Sequence, residues 1–195
     1  MRVHFALQPG AEAIDELGAL SREFGEQLTP HAGRLRPILA RDLGLTLVSL
    51  GELASCERAG LVAAGTDVAR RSRGFELELL APGLFGTERR GSLALNAARC
   101  EALERLASEL AQALSARGFR ANTRAFAPHL TLARYRGAGE GLLRGAEQLA
   151  AGRGLPLRVE VGSFDLFRST LCPSGPRRSL LESFDLQPRE GSGAP

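Results

Sequence analysis

Apolar residues recur along this chain of 195 residues with two different spacings. Between residues 12 and 28 they lie three or four positions apart, as on one face of a helix, at Ala13, Leu17, Leu20, Phe24 and Leu28. From Phe75 to Leu80 they instead alternate with acidic residues, which is typical of a half-buried strand. The pattern therefore predicts a protein built from both helices and strands.

These spacings, together with glycine and proline positions, predict the order of elements. In the first half we expect strands over 2–7, 43–50 and 75–80, helices over 12–28 and 52–70, and a loop over 29–37. In the second half we expect strands over 92–95, 129–134, 156–168 and 179–186, with helices over 98–117 and 140–151. The strand-helix-strand order occurs twice, which indicates a duplicated α+β unit with two lobes facing a cleft.

One short motif occurs in both halves, with a single important difference. The segment Pro128 to Arg134 (PHLTLAR) has a counterpart in Asp42 to Leu47 (DLGLTL), where glycine replaces the histidine. Because side chains alternate along a strand, His129 and Thr131 share one face of theirs. Two such strands can direct two threonines and two histidines into one cleft. In this chain both threonines are present, but only the second strand has the histidine.

Composition narrows the class of protein. A chain with 44% hydrophobic and 24% charged residues is ordinary for a soluble globular protein. The net charge of +3 is too small to indicate nucleic-acid binding by itself. All 25 basic residues are arginine, which suits phosphate through its planar fork but is also favoured by a GC-rich genome. With neither a leader-like apolar stretch nor a membrane-length apolar run, we expect a cytoplasmic protein.

Cysteine usage does not indicate a structural site. Cys56, Cys100 and Cys172 are odd in number and far apart, and none belongs to a Cys-x-x-Cys motif. The sequence therefore predicts neither a disulfide framework nor a zinc site.

An ordered series of segments resembles the 2H phosphoesterase superfamily, and within it the bacterial and archaeal RNA 2′,3′-cyclic phosphodiesterases, also called the 2′-5′ RNA ligase family. Residues 2–7 resemble the family's first strand, and residues 42–52 resemble its phrase NLHLTLRFLGE. Pro128 to Arg134 reproduces PHLTLAR intact, and residues 164–186 are similar to the closing hairpin. The resemblance covers most of residues 2–187.

The resemblance implies a bilobal α+β fold with pseudo-twofold symmetry, in which antiparallel-rich sheets flank a central cleft and the helices lie outside. It implies one domain over residues 1–187. The segment 188–195 is rich in glycine, serine and proline, so we expect it to be a disordered tail.

The resemblance also implies an activity, which is the metal-independent opening of an RNA 2′,3′-cyclic phosphate to a 2′-phosphate. One family histidine handles the water and the other protonates the leaving 3′-oxygen. Carried over, His129 becomes the general base or the group that positions the water, Thr46 and Thr131 hold the phosphoryl oxygens, and Arg134 stabilises charge. No cofactor or metal is expected, and the partner is an RNA or nucleotide with a cyclic phosphate end, bound by a monomer.

Three positions depart from the family pattern. Gly44 occupies the first catalytic histidine position, Val48 stands where arginine is usual, and Arg178 where tyrosine is common. Arg134 raises a separate geometric question. It lies five residues after His129, so on a regular strand it points to the opposite face, and a bend or bulge is needed to bring it to the cleft.

The missing histidine leaves several outcomes open. The enzyme works slowly with solvent as the acid, or His4 or His31 substitutes, or the protein binds RNA or nucleotide ends without cutting them. His4 shares a strand face with Ala6 and could project into the cleft. Ligation of 2′-5′ RNA ends is a further alternative that the sequence does not separate from hydrolysis.

Overall fold

The computed structural model describes residues 2–54, 57–120, 126–172 and 175–189. Its helices are α1 (Ala11–Gln27), α2 (Arg58–Ala69), α3 (Glu101–Ser115) and α4 (Gly141–Ala151). Its strands are β1 (Arg2–Leu7), β2 (Ala32–Pro37), β3 (Leu45–Glu52), β4 (Phe75–Thr87), β5 (Arg90–Ala97), β6 (His129–Ala138), β7 (Leu157–Val161), β8 (Ser163–Cys172) and β9 (Gly175–Asp185).

The nine strands of the described chain form one antiparallel sheet. Its order is β7-β4-β5-β6-β3-β1-β8-β9, and β2 pairs with the far end of β6. The two halves of the sheet meet where β6 lies beside β3, at the pair Leu45 and Leu130. This mixed architecture confirms the predicted α+β class.

The order of elements repeats, as the sequence indicated. β1-α1-β3-α2 is followed later by β5-α3-β6-α4, and the two motif strands, β3 and β6, lie together at the centre of the sheet. Helices α1 and α4 pack against β6 and β4, whereas α2 and α3 pack against β8, β9 and β3. Each half of the sheet is thus covered by two helices, with Phe5, Phe24 and Phe164 fully buried in the core.

The loop predicted over 29–37 is wrong for its second part. Residues Thr29–His31 form a 3-10 turn, but Ala32–Pro37 forms β2, paired with β6. Glycine and proline are poor strand formers, so the local sequence of β2 does not indicate a strand. The strand forms because the segment pairs with the longer strand β6. The strand predicted over 156–168 is in fact two, β7 and β8, separated at Gly162.

The predicted tail lies mostly outside the described residues. Arg189 is described, and its Nη1 lies 3.2 Å from Glu160 Oε1. Residues 190–195 are not described, so the disordered tail stays a prediction, as does the single domain over 1–187.

Strand β6 contains one residue more than its neighbour β5 directly after Thr131. Leu93 pairs with Ala133 and Ala94 pairs with Thr131, which leaves Leu132 as an extra residue. Leu132 and Ala133 are both fully buried. Such a bulge reverses the alternation, so the residue that follows points to the same face as Thr131.

Strand β3 has the same irregularity at the equivalent place. Phe5 pairs with Val48 and Ala6 pairs with Thr46, so Leu47 is the extra residue. Leu47 and Val48 are both buried at 6% exposure. Each motif strand therefore buries two successive residues directly after its threonine.

A buried hydroxyl secures the bulge in β6. Ser21 of α1 is fully buried, and its Oγ lies 2.7 Å from the carbonyl oxygens of both Leu132 and Ile38. The Ile38 N–H donates to Leu132 O at 2.7 Å and to Ser21 Oγ at 3.1 Å. The carbonyl oxygen of Leu132 in the bulge therefore accepts hydrogen bonds both from a side chain of the helix and from the backbone of Ile38.

We predict that Ser21→Ala lowers the free energy of unfolding by about 1–3 kcal/mol, because buried carbonyls lose a donor. Chemical denaturation with circular dichroism measures this. The matched control is Ser108→Ala on α3, an exposed serine whose hydroxyl accepts a 3.2 Å hydrogen bond from Gln112, and it should change stability by less than about 0.5 kcal/mol. Equal effects of the two substitutions would contradict the role given to Ser21.

Candidate active site

A cleft of about 1170 Å³ crosses the centre of the sheet. Its polar lining includes Thr46 and Ser49 of β3, Thr131 and Arg134 of β6, His4 of β1 and Arg178 of β9. Residues far apart in the chain meet here because β1, β3 and β6 lie close together in the sheet. Both halves of the duplicated unit therefore contribute to one cavity.

The register of β3 against β6 arranges the motif residues diagonally. Leu45 pairs with Leu130, and both side chains are buried in the core at 1% exposure. Because neighbours of a core residue point to the other face, the residues on either side of this pair lie on the face of the sheet that contains the cleft. By that antiparallel register Thr46 stands across from His129, and Thr131 stands across from Gly44.

His129 lies at the edge of the site rather than among the residues that line the cleft. Its ring stacks on Phe85, with 4.0 Å between ring centroids, and its Nδ1 lies 2.8 Å from Ala127 O. A carbonyl oxygen only accepts hydrogen bonds, so this contact assigns the proton to Nδ1. Nε2 is then left with the lone pair that a general base requires.

The bulge in β6 brings Arg134 to the cleft, where it lies with Thr131. This is the departure from a regular strand that the spacing of Arg134 from His129 required. On β3 the residue that occupies the equivalent place is Ser49, which also lines the cleft. Val48, the expected arginine position, is buried on the core side. The first half of the site therefore has a hydroxyl where the second half has a guanidinium.

His4 projects into the cleft, as its strand position suggested, and only 8% of it is exposed. Its ring stacks on Phe167 at 5.7 Å, and Nδ1 lies 3.4 Å from Ser169 Oγ. Its Nε2 is buried without a hydrogen-bond partner among the described residues. Burial, and secondly the charge of Arg178, lower the pKa of His4 from 6.5 to about 4.

Arg178 lies beside Gly44. A Cβ atom placed on Gly44 would be 2.8 Å from Arg178 Nη1 and 2.8 Å from Leu7 O. The Arg178 N–H donates to Asp42 Oδ1 at 3.3 Å, and its guanidinium carbon is 5.7 Å from the centre of the Phe167 ring. In the sequence, Arg178 is visible only as a departure from the family's tyrosine.

Four arginines on the β6 side of the cleft are absent from the expected site residues: Arg34 and Arg36 of β2, Arg90 of β5 and Arg136 of β6. Arg34 and Arg136 pair across the strands, as do Arg136 and Arg90, so three arginines form one row. Arg36 pairs with Arg134 in the next row. The spacing of two between Arg34 and Arg36 would have indicated one strand face, had residues 32–37 been recognised as a strand.

His31, the other histidine considered as a substitute acid, lies elsewhere. It is exposed in the 3-10 turn and does not line the cleft. In the part of the chain that is described, no three His, Cys, Asp or Glu side chains come close enough to hold a metal ion. No helix there has both the length and the apolar character to cross a membrane.

The chain is similar to proteins of known structure over nearly its whole length. The family model LigT like Phosphoesterase matches residues 93–177. TT0787 of Thermus thermophilus is 28% identical, with a TM-score of 0.75, over 97% of this chain and 100% of that one. E. coli LigT complexed with 3′-AMP is 26% identical, with a TM-score of 0.73, over 95% of this chain and 97% of that one. No curated protein matches the chain.

These similarities agree with the features already described: an α+β fold with a nine-stranded antiparallel sheet, a repeated strand-helix order, and one intact His-x-Thr strand at the centre. The family model covers the whole of that strand. The chain is therefore similar to LigT-like phosphoesterases, in fold over nearly its whole length and in sequence most clearly over residues 93–177.

Proposed function

We propose that the protein opens 2′,3′-cyclic phosphate ends of RNA to 2′-phosphates without a metal, and does so slowly. The pairing of Leu45 with Leu130 carries the proposal, because its register turns Thr46, Thr131 and His129 toward one site. Arg134 adds a fixed positive charge to the same face. Hydroxyls and a guanidinium stabilise charge on phosphoryl oxygens, and an imidazole can activate water.

The proposed reaction begins at His129. Its Nε2 takes a proton from a water molecule, and the oxygen of that water forms a bond to phosphorus. Thr46, Thr131 and Arg134 stabilise the negative charge on the phosphoryl oxygens. The bond from phosphorus to the 3′-oxygen then breaks, and the 3′-oxygen takes up a proton. The 2′-phosphate remains on the ribose.

Among the described residues that line the site, no side chain is suited to deliver that last proton. His4 is neutral near pH 7 because its pKa is lowered to about 4, and a neutral imidazole is a far weaker acid than the imidazolium ion. Solvent therefore supplies the proton, and the loss of a general acid costs about 10²- to 10⁴-fold in rate. The chemistry explains why we expect slow turnover.

The cleft favours an RNA end over a single nucleotide. Arg34, Arg90 and Arg136 lie side by side beyond Arg134, and within the described chain none of them has a carboxylate partner. Like charges paired across strands repel, so a bound anion stabilises the row. Arginine binds phosphate through two parallel hydrogen bonds, and a second phosphate of an oligonucleotide fits this need.

The second candidate function is the binding of RNA or nucleotide ends without turnover. Gly44 carries no acid, and the group beside it is an arginine, which favours binding over proton transfer. Structures of E. coli LigT are complexed with 3′-AMP, ATP and NADP+, which supports a nucleotide as the ligand of this cleft also.

His129→Ala is predicted to lower the rate of hydrolysis of an oligonucleotide ending in a 2′,3′-cyclic phosphate by about 10²- to 10⁴-fold. Chromatography of the 2′-phosphate product measures the rate. His31→Ala, which removes an exposed histidine outside the cleft, is the matched control and should keep the wild-type rate. Background rates in wild type and His129→Ala alike, with binding retained, would favour the second candidate.

Removal of Arg34 and Arg136 together should weaken binding of the oligonucleotide by about tenfold or more, since charge-assisted phosphate contacts are lost. A plot of the logarithm of the binding constant against the logarithm of salt concentration has a negative slope. Its magnitude should decrease by about 1.4, because each lost phosphate contact with a single strand contributes about 0.7. Fluorescence anisotropy at several salt concentrations measures both quantities. Adenosine 2′,3′-cyclic phosphate, which has no second phosphate for the row to bind, should bind both proteins alike.

The control for this pair is Arg22→Ala with Arg105→Ala, which removes two exposed helix arginines and the same net charge. If the control lowers affinity and slope as much as the cleft variant, the effect is one of net charge and the row is not a phosphate site.

The free energy of unfolding is predicted to fall as the pH decreases from about 6.5 to about 4. The pKa of His4 is lowered in the folded protein, so the unfolded state binds the proton first and is favoured by acid. The loss from His4 is at most about 3 kcal/mol. Denaturant unfolding of wild type and His4→Gln at pH 7 and pH 4.5 measures it as the difference between the two proteins. His31→Gln should behave like wild type, and an equal acid sensitivity in His4→Gln would rule out His4 as the cause.

A further inference from the structure

The space beside Gly44 is occupied by the side chain of Arg178. Its Nη1 lies 2.8 Å from the position that a Cβ on Gly44 would take. The guanidinium therefore fills the volume that any larger residue at 44 would need. By the register of the two motif strands, this volume stands across from Thr131.

The Arg178 guanidinium has an unused donor. Nη1 is buried and has no hydrogen-bond partner among the described residues. Asp42 accepts a hydrogen bond from the Arg178 backbone N–H rather than from the guanidinium. A buried donor without an acceptor is costly, and more so when it is charged, so the geometry calls for an anionic ligand.

A second guanidinium converges on the same place. Arg134 and Arg178 both line the cleft, from opposite halves of the sheet. Burial lowers the pKa of Arg178, the charge of Asp42 raises it, and the charge of Arg134 lowers it. Two cations that repel each other across a cleft are both stabilised by an anion between them.

We propose that Arg178 replaces the missing histidine as an anion-binding group, so that the cleft holds a phosphate monoester dianion more tightly than a cyclic phosphate diester. The proposal rests on the proposed function of the same site. With Arg134 on one side and Arg178 on the other, the terminal phosphate is held by two fixed charges and by the hydroxyls of Thr46 and Thr131.

The phosphate monoester and the cyclic phosphate diester differ in their negative charge. A cyclic diester carries one negative charge, whereas a monoester carries nearly two above its second pKa of about 6. Histidine would share a proton with the ligand, but arginine keeps its charge and its proton throughout the neutral range. A site with two arginines and one histidine is therefore better matched to the product of ring opening than to the substrate.

The experiment is calorimetric titration at pH 7.5 with two probes, adenosine 2′-monophosphate and adenosine 2′,3′-cyclic monophosphate. Hydrolysis during the titration is followed by chromatography and subtracted. We expect wild type to bind the monoester about tenfold more tightly than the cyclic diester, and Arg178→Gln to lose about tenfold or more in affinity for the monoester, with a smaller loss for the diester.

The matched control is Arg177→Gln, which removes the neighbouring arginine, exposed and outside the cleft, and should leave both affinities unchanged. Circular dichroism checks that each variant folds. Should Arg178→Gln fail to fold, Arg178→Lys takes its place, and it should bind the monoester several-fold more weakly because the planar fork is lost.

Equal affinity of wild type for the two probes would overturn the proposal. So would an unchanged monoester affinity in the folded Arg178 variant. The second result does not depend on turnover, because binding of the monoester is measured without any reaction. A failure of hydrolysis alone would reject the proposed function and leave the anion site standing.

Discussion

The central strands of this protein must bury one face completely and expose charge on the other, and the rest of the site depends on how they do so. A regular strand after Thr131 would direct Arg134 into the core. One extra residue in β6 buries Leu132 and Ala133 in succession and returns Arg134 to the cleft. The hydrogen bonds of Ser21 stabilise that irregularity, because its buried hydroxyl donates to the carbonyl oxygen of the extra residue, Leu132.

The two halves of the site have the same backbone geometry but different functional groups. Both motif strands have the bulge and keep the threonine, but the second half adds an imidazole and a guanidinium from its own strand. The first half has Gly44 and Ser49 at the equivalent positions. Its positive charge comes instead from Arg178 of β9. Pseudo-symmetry of the backbone is therefore retained while the functional groups have become unlike.

The sequence predicts the backbone better than it predicts the chemistry of the cleft. The alternation around His129 and Thr131 is local, so their shared face and the requirement for a bulge at Arg134 follow from the sequence alone. The sequence does not predict β2 or the place of its two arginines, because Gly33 and Pro37 are poor strand formers. The strand depends on pairing with β6, which is distant in the sequence. The place of Arg178 beside Gly44 arises from folding of distant segments, and no local pattern contains it.

Gly44 is confined on two sides, by a side chain and by a backbone oxygen of the neighbouring strand. A larger residue there requires the Arg178 guanidinium to shift and the β1 backbone at Leu7 to give way. Positions 44 and 178 therefore form a pair that is expected to vary together among relatives, with arginine at 178 accompanying glycine at 44. A histidine at 44 therefore requires the side chain at 178 to shift or to be replaced, in addition to an adjustment of the β1 backbone.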